Sequence, residues 1–295
     1  MSSDELRPTL AQKQPSARMA TVGEVLAHAR TPGVSPLDAQ VILGHVLGRD
    51  RGWLLAHPEA PLSAAQAGAF AELIARRHTG EPVAYLTGQR EFFGLVFHVS
   101  PAVLVLRPET EHLVEAALEW AAPRPPLTIA DAGTGSGAIA VSLAAHLPQA
   151  RLVATDISRA ALAVAASNAE RHGVAARLSL AQADLLAPLR PGVDLIVSNP
   201  PYIATADLAA LAVARHEPRA ALDGGPDGLE VIRRLLRDAA RLLARPGLLL
   251  VEIGAGQGAA ATALARDLFP EADVAVLPDY AGHDRLLRVA LESPS

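Results

Sequence analysis

The sequence has no cysteine, a single lysine (Lys13) and few aromatic residues, which make up 3% of its 295 positions. The lack of cysteine excludes disulfide bonds, thiolate zinc sites and cysteine nucleophiles. No apolar run approaches the roughly 20 residues of a membrane-spanning helix, and the N-terminus lacks the continuous apolar segment of a secretory signal. We therefore expect a cytoplasmic protein.

Charge and histidine spacing argue against two further classes of protein. The formal net charge of -5 disfavours a large nucleic-acid footprint, because phosphate binding requires a basic face. None of the ten histidines forms a His-x-His or His-Glu-x-x-His pattern, so we expect no metal site.

The N-terminal part of the chain divides into two segments by composition. Residues 1–18 are polar and are predicted to form a disordered extension. Residues 19–80 show helical patterning without strand alternation, with Ser35 at one predicted helix start and a capping box of Ser63 and Gln66 at another. We predict a small helical domain that binds a macromolecular substrate.

Residues 81–107 change character and are predicted to form a β-hairpin linker. Gly88 and Gly94 interrupt short apolar runs, which predict strands at 83–86, 91–93 and 95–99. Three of the five phenylalanines lie between residues 91 and 97. We expect them to pack within the hairpin, and the alternative is an aromatic wall over a ligand.

Residues 108–295 are predicted to form a further domain, in which strand and helix patterns alternate from residue 127 onward, as is typical of a parallel sheet with covering helices. The seven predicted strands are 127–130, 151–155, 177–180, 194–198, 248–252, 274–277 and 286–291. Ligands of such sheets bind beyond the carboxyl ends of the strands. The glycine-rich turn 131–137 and the residues Asp156, Asp184 and Asn199 are all expected at that edge.

The turn 131–137 satisfies a relaxed dinucleotide-binding pattern, Gly133-x-Gly135-x-x-Ala138. Its glycines allow close approach of the backbone to a ligand, and the following helix offers free N–H groups. Asp156 ends the next strand, where a ribose-binding acid belongs. An adenosine-type ligand is indicated. The three alternating glycines behind a leading acid favour S-adenosylmethionine over NAD.

The fourth predicted strand ends in Asn199-Pro200-Pro201-Tyr202. The two prolines stop the strand and hold Asn199 and Pro200 extended. The Asn199 side-chain oxygen and the Pro200 carbonyl could each accept one proton of a planar amide or amino group, with Tyr202 over its flat face. The structural alternative is a plain turn with Asn as turn former.

These motifs together resemble the class I methyltransferases that act on planar nitrogen. More narrowly, the chain resembles the PrmC/HemK family, which methylates the glutamine of the Gly-Gly-Gln motif in peptide chain release factors. The resemblance spans about residues 22–291. Its other matching segments are 90–95, 107–111, 216–218, Gly225 with Gly228, 279–280 and 284–285.

The resemblance implies a Rossmann-like α/β fold with a seven-stranded sheet, a helical N-terminal domain and a hairpin linker. It also implies transfer of a methyl group from S-adenosylmethionine to the glutamine amide nitrogen N5, which leaves S-adenosylhomocysteine. The implied cofactor-binding residues are Gly133, Thr134, Gly135, Ser136, Gly137, Asp156 (ribose), Asp184 and Leu185 (adenine) and Asn199. The implied catalytic residues are Asn199, Pro200 and Tyr202, and Pro201 joins them in holding the substrate.

Two other functions stay open at this point. Asn-Pro-Pro-Tyr also occurs in adenine-N6 nucleic-acid methyltransferases, although we identify no base-reading domain. A non-enzymatic adaptor that only binds the cofactor is disfavoured because residues 199–202 are intact. The expected partners are therefore release factors, with no direct nucleic-acid substrate and no membrane.

Overall fold

The computed structural model describes residues 19–29, 32–124 and 126–293. The predicted extension at 1–18 thus lies outside the described residues. The chain divides into two compact units, with the boundary between Thr79 and Gly80. No helix within the described ranges is long and apolar enough to cross a membrane.

The first unit is helical. Its four helices are α1 (Val22–His28), α2 (Pro36–Leu47), α3 (Arg51–Ala56) and α4 (Ala64–His78). Reciprocal capping boxes begin three of them, at Thr21 with Glu24, at Ser35 with Asp38, and at Ser63 with Gln66. Each N-cap side chain contributes about 0.5–2 kcal/mol of helix stability. The two helix starts predicted from the sequence at Ser35 and Ser63 are confirmed.

The second unit begins with a helix where a strand was expected. Residues 83–86 were predicted as a strand, and that prediction is wrong, because they belong to α5 (Val83–Thr87). A run of four apolar residues does not distinguish helix from strand. Pro82 supplies a φ of -59° at the helix start, and Gly88, with a φ of 70°, ends it.

The hairpin follows, with β1 (Gln89–Phe92) antiparallel to β2 (Leu95–His98). The rings of Phe92 and Phe97 are fully buried and meet edge to face, with centroids 6.1 Å apart. Both belong to the core on one face of the large sheet. The phenylalanines therefore pack the hairpin, and none of the three lines the cavity described below.

The remaining strands form one seven-stranded sheet. They are β3 (Thr128–Ala132), β4 (Arg151–Asp156), β5 (Leu178–Gln182), β6 (Val193–Ser198), β7 (Leu243–Glu252), β8 (Asp273–Pro278) and β9 (Asp284–Leu291). Five helices accompany them: α6 (Glu111–Ala121), α7 (Ala138–His146), α8 (Arg159–Arg171), α9 (Glu230–Leu242) and α10 (Gly258–Leu268). The seven strands predicted from the sequence are all present, with ends shifted by a few residues.

The strand order is β5-β4-β3-β6-β7-β9-β8, and β9 alone runs in the direction opposite to the other six strands. The chain order reverses between β3 and β6, which is the point where open α/β sheets bind ligands. Alternate residues face opposite layers. Ile129 and Leu195 pack in one core, and Ala130 and Ile196 pack in the other.

Candidate active site

A cavity of about 340 Å³ lies at the carboxyl ends of the central strands, within the second unit. The sequence-predicted residues that line it are Gly133, Thr134, Gly135, Ser136, Asp156, Asp184, Leu185, Asn199 and Pro201. Gly137, Pro200 and Tyr202 are outside this lining set. The cavity thus brings the glycine turn, both strand-end acids and Asn199 together around one space.

The glycine turn owes its shape to positive backbone angles. Gly133 and Gly135 have φ values of 71° and 55°, and a Cβ at either would meet no atom within 4 Å. Their need for glycine is therefore conformational. Gly137 (φ 82°) also has a packing reason, since a Cβ there would lie 3.1 Å from the Cβ of Ala165 on α8.

Asp156 ties the end of β4 to the glycine turn. Its Oδ2 accepts the Gly135 N–H at 2.9 Å, and its Oδ1 accepts the Ser158 N–H at 2.8 Å. The carboxylate is half-buried at the cavity wall. Each carboxylate oxygen has a second lone pair, so Asp156 can still accept hydrogen bonds from a ligand hydroxyl.

Asp131 is buried beneath the turn, with 1% of its surface exposed. Its Oδ2 accepts the Thr134 hydroxyl at 2.7 Å, whereas its Oδ1 has no hydrogen-bond partner among the described residues. Burial raises the pKa of Asp131 to about 7, against the lowering effect of its hydrogen bond from Thr134. Sequence reasoning gave this residue no role beyond leading the glycine motif.

Asp184, which follows β5, has a partner that could not be predicted from the sequence. Asp184 forms an ion pair with Arg234 of α9, and both side chains border the cavity. The next residue, Leu185, has a φ of 50°, which is unfavourable for a side chain with a Cβ. Ile157, 62% exposed, also borders the cavity. Its position directly after Asp156 is the sequence signal that could have identified it.

Asn199 and Pro201 border the cavity, but Tyr202 is held behind it. The Tyr202 ring packs against the core on the α9 face of the sheet, and its hydroxyl lies 3.4 Å from Glu252 Oε1. Burial, followed by the charge of Glu252, raises the pKa of Tyr202 to about 12. The phenol is therefore neutral near pH 7.

The main chain of Tyr202 is fixed by residues from two other segments. Gln257 Nε2 donates to the Tyr202 carbonyl at 2.9 Å and to the Gly228 carbonyl at 3.2 Å. A Cβ at Gly228 would lie 2.4 Å from the Tyr202 carbonyl oxygen, so only glycine fits. This close approach gives a physical reason for Gly228, which the sequence had marked as part of a motif.

An ion pair with a buried carboxylate holds the segment that follows the hairpin. Arg107 Nη2 lies 2.5 Å from Glu217 Oε1, and the Glu217 side chain is fully buried. The other carboxylate oxygen of Glu217 accepts the Val105 N–H at 3.1 Å. Residues 102–107 form part of the cavity wall. The ion pair of Arg107 with Glu217 therefore has a structural role in shaping the cavity, and no catalytic role needs to be assigned to it.

The lining fits an adenosine ligand that carries a charged tail. The open space over Gly133 and Gly135 admits a ligand against the backbone, the N-terminus of α7 favours a carboxylate, and Asp156 suits a ribose. Among the residues that the structure describes, no group of three or more His, Asp or Glu side chains could hold a metal ion.

Two family models match the sequence. The model described as the PrmC N-terminal domain matches residues 24–88, and the methyltransferase small domain matches residues 113–277. The second match covers more than half of the chain. A solved methyltransferase from Pyrococcus furiosus shares the fold, with 18% identity, a TM-score of 0.52, and coverage of 79% of this chain and 100% of that chain.

Curated relatives narrow the family further. The release factor glutamine methyltransferase of Moorella thermoacetica is 53% identical over 90% of this chain and 95% of its own length. That of Bordetella pertussis is 48% identical over 80% of this chain and 87% of its own. These similarities do not favour the adenine-N6 alternative. The chain belongs to the release factor glutamine methyltransferase family, whose catalytic domain has the class I methyltransferase fold.

Proposed function

We propose that the chain methylates N5, the side-chain amide nitrogen, of the glutamine in the Gly-Gly-Gln motif of release factors. Membership in the family makes it an enzyme that uses S-adenosylmethionine as methyl donor. The observation that carries the proposal is a single cavity bordered both by the glycine turn with Asp156 and by Asn199 with Pro201. Donor and acceptor sites then share one space.

At the cofactor end, we assign the turn Gly133 to Gly137 to the amino acid part of S-adenosylmethionine. Asp156 accepts hydrogen bonds from the ribose hydroxyls with the lone pairs that its two backbone bonds leave free. Asp184 and Leu185 contact the adenine. Ile157 adds an apolar surface beside them, since its exposed side chain borders the same cavity.

At the acceptor end, we assign the substrate amide to Asn199 and the Pro200 carbonyl, each of which accepts one N–H of the glutamine –NH₂. Asn199 also borders the cofactor. Pro201 forms part of the wall. Tyr202 contributes packing from behind, because its ring joins the core beside the cavity instead of lining it.

The chemistry needs a positioned nitrogen more than it needs a base. S-adenosylmethionine supplies an electrophilic methyl group on a sulfonium. An amide nitrogen is a poor nucleophile because its lone pair is delocalised. Two acceptors on its protons raise its electron density and aim it, and positioning of this kind can supply about 7–11 kcal/mol in favourable cases. Methyl transfer first gives an N-protonated, positively charged amide, which is strongly acidic and loses its extra proton to water to leave the neutral methylated amide.

We propose that the helical unit binds the release factor outside its glutamine loop, because every cofactor assignment lies after residue 127. The proposed organisation is thus a substrate-binding domain at 19–80, a linker at 81–107 and a catalytic domain from 108 onward. A translation-factor substrate also leads us to propose a cytoplasmic location and no nucleic-acid substrate.

The test is transfer of labelled methyl from S-adenosylmethionine to a purified release factor, followed by mapping of the label. We expect label on the motif glutamine only. The matched controls are the same release factor with that glutamine replaced by alanine, free glutamine, and duplex DNA. Labelled DNA adenine beside an untouched release factor would overturn the proposal.

A further inference from the structure

A chain of three polar side chains lies behind Asn199. Asn199 Nδ2 donates to Thr110 Oγ1 at 2.9 Å, and Thr110 Oγ1 donates to Glu252 Oε2 at 2.7 Å. The Tyr202 hydroxyl lies 3.4 Å from the other oxygen of Glu252, longer than an ordinary O–H···O bond. Glu252 is therefore connected to Asn199 through Thr110 and lies beside the Tyr202 hydroxyl.

The sheet explains why these groups meet. Ser198 of β6 pairs in register with Val251 of β7, so Asn199 and Glu252 are the next residues along two adjacent parallel strands. Thr110 bridges them from the short turn before α6. Thr110 borders the cavity, whereas Glu252 lies outside its lining, with 1% of its surface exposed.

When Glu252 is ionised, counting protons fixes the direction of each bond. An ionised carboxylate can only accept hydrogen bonds, and a threonine hydroxyl has one proton to donate. Thr110 donates this one proton in its hydrogen bond to Glu252. Its Oγ1 can therefore only accept a hydrogen bond from Asn199. The group of Asn199 that faces Thr110 must then be its –NH₂, which independently supports the amide orientation in the structure.

The orientation of this amide decides what Asn199 can do. With its –NH₂ bound to Thr110, its Oδ1 is free to accept a hydrogen bond from another group. In the reversed orientation the –NH₂ of Asn199 would meet the –NH₂ of a substrate amide, donor against donor. An unpaired buried donor costs about 1–3 kcal/mol, so the reversed state would not hold the substrate.

We propose that Thr110 and Glu252 are positioning residues that lock the Asn199 amide with Oδ1 available to the substrate nitrogen. The inference rests on the proposed role of Asn199 in holding that nitrogen. Neither residue has to contact the substrate, and both act through Asn199.

The negative charge of Glu252 is needed for the proposed positioning of the Asn199 amide. Burial raises its pKa, and hydrogen bonds from Thr110 and Tyr202 and the charge of Arg285 oppose that shift, while Glu109 adds to it. A protonated Glu252 could donate to Thr110, and Thr110 could then donate its own proton to the Asn199 oxygen. Protonation would therefore allow the reversed orientation, and turnover should fall on the acid side as Glu252 gains its proton.

The first test compares two substitutions at one position. Thr110→Val keeps the shape but removes the hydroxyl, and we expect kcat to fall at least tenfold while cofactor affinity changes less than threefold. Thr110→Ser keeps the hydroxyl, and kcat should stay within threefold of wild type. Cofactor titration by calorimetry shows that each variant is folded. Wild-type kcat in folded Thr110→Val would overturn the inference.

The second test asks whether Thr110 acts through Asn199. In an Asn199→Ala background, Thr110→Val should lower kcat by less than twofold, since there is no amide left to orient. A further tenfold loss there would show that Thr110 acts elsewhere. If Asn199→Ala alone keeps wild-type kcat, the proposed role of Asn199 in holding the substrate nitrogen is wrong. That result is distinct from a failure of the positioning role of Thr110, which the Thr110→Val variants test.

Glu252→Gln gives a third readout, because it removes the charge with little change in shape. We expect kcat to fall at least tenfold near pH 7.5 and the acid limb of the kcat profile to disappear. Wild-type kcat with an unchanged acid limb would show that the charge of Glu252 does not orient Asn199.

Discussion

The two ends of the cavity are built in different ways. The glycine turn and Asp156 come from two successive strand ends, and one hydrogen bond from Gly135 to Asp156 joins them across 21 residues of sequence. The Asn199 end depends on Thr110 and Glu252, which are 142 residues apart. The proposed cofactor end is thus local in sequence and shaped by backbone, while the proposed acceptor end is assembled from distant side chains.

This difference predicts which substitutions separate binding from turnover. Changes at the backbone-built end should alter cofactor affinity or stability. Changes at the assembled end should alter the rate of methyl transfer at saturating cofactor.

The largest effect concerns the buried Asp131 and is an effect on stability. Its pKa is raised to about 7 by burial, so the unfolded chain loses this proton at lower pH than the folded chain. The free energy of unfolding should fall as pH rises from about 4 to about 7, by on the order of 4 kcal/mol from this group, and then level off. Thermal melting from pH 4 to 8 measures it.

Asp131→Asn keeps an acceptor for Thr134 and removes the titration. Its melting temperature should therefore depend less on pH than that of the wild type over the same range. Parallel slopes for the two proteins would mean that Asp131 titrates outside this interval.

An intermediate effect is expected at the glycine turn. Gly135→Ala places a Cβ in open space but at a φ of 55°, which costs roughly 1–2 kcal/mol. Cofactor affinity should fall about five- to thirtyfold, because the turn must distort to relieve that strain. Calorimetric titration measures the affinity.

The matched control is Gly173→Ala, at a turn after α8 with a φ of 68° and equally open space. It carries similar strain but lies outside the cavity lining. We expect a comparable loss of stability and unchanged cofactor affinity. Equal losses of affinity in the two variants would attribute the effect to general destabilisation.

The smallest effect is expected at the ion pair of Asp184 with Arg234. Both side chains are about half exposed, and such pairs contribute about 0.2–1 kcal/mol. Arg234→Ala should reduce cofactor affinity at most about fivefold and leave turnover at saturation unchanged. A lower turnover at saturating cofactor would instead indicate that Arg234 acts on the substrate at the acceptor end.

The elements that follow local rules could be predicted from the sequence. Helix caps at Ser35 and Ser63, the seven strands and the convergence of Asp156 and Asn199 at one sheet edge follow from periodicity, capping and parallel-sheet geometry. Residues 83–86 were predicted wrongly because a short apolar run fits either helix or strand.

The contacts that complete the site could not be predicted. Nothing in the local sequence pairs Asp184 with Arg234, Tyr202 with Glu252, or Asn199 with Thr110, since each pair is at least 50 residues apart. Such pairs depend on how the helices cover the sheet. The roles of Asn199, Pro200, Pro201 and Tyr202 towards a substrate stay predictions.

The most direct test of the central claim is single-turnover methylation of a release factor by Asn199→Ala and Asp156→Ala as cofactor concentration is raised to saturation. The charge-assisted bonds that we propose from the ribose hydroxyls to Asp156 are worth roughly 1.5–3 kcal/mol, so the loss of this carboxylate should weaken cofactor binding about ten- to a hundredfold. At saturation Asp156→Ala should recover to within a few-fold of the wild-type rate, and Asn199→Ala should stay at least tenfold slower with near-normal cofactor affinity. Recovery of Asn199→Ala by excess cofactor would contradict the account, since it would assign Asn199 to the cofactor and not to the glutamine nitrogen.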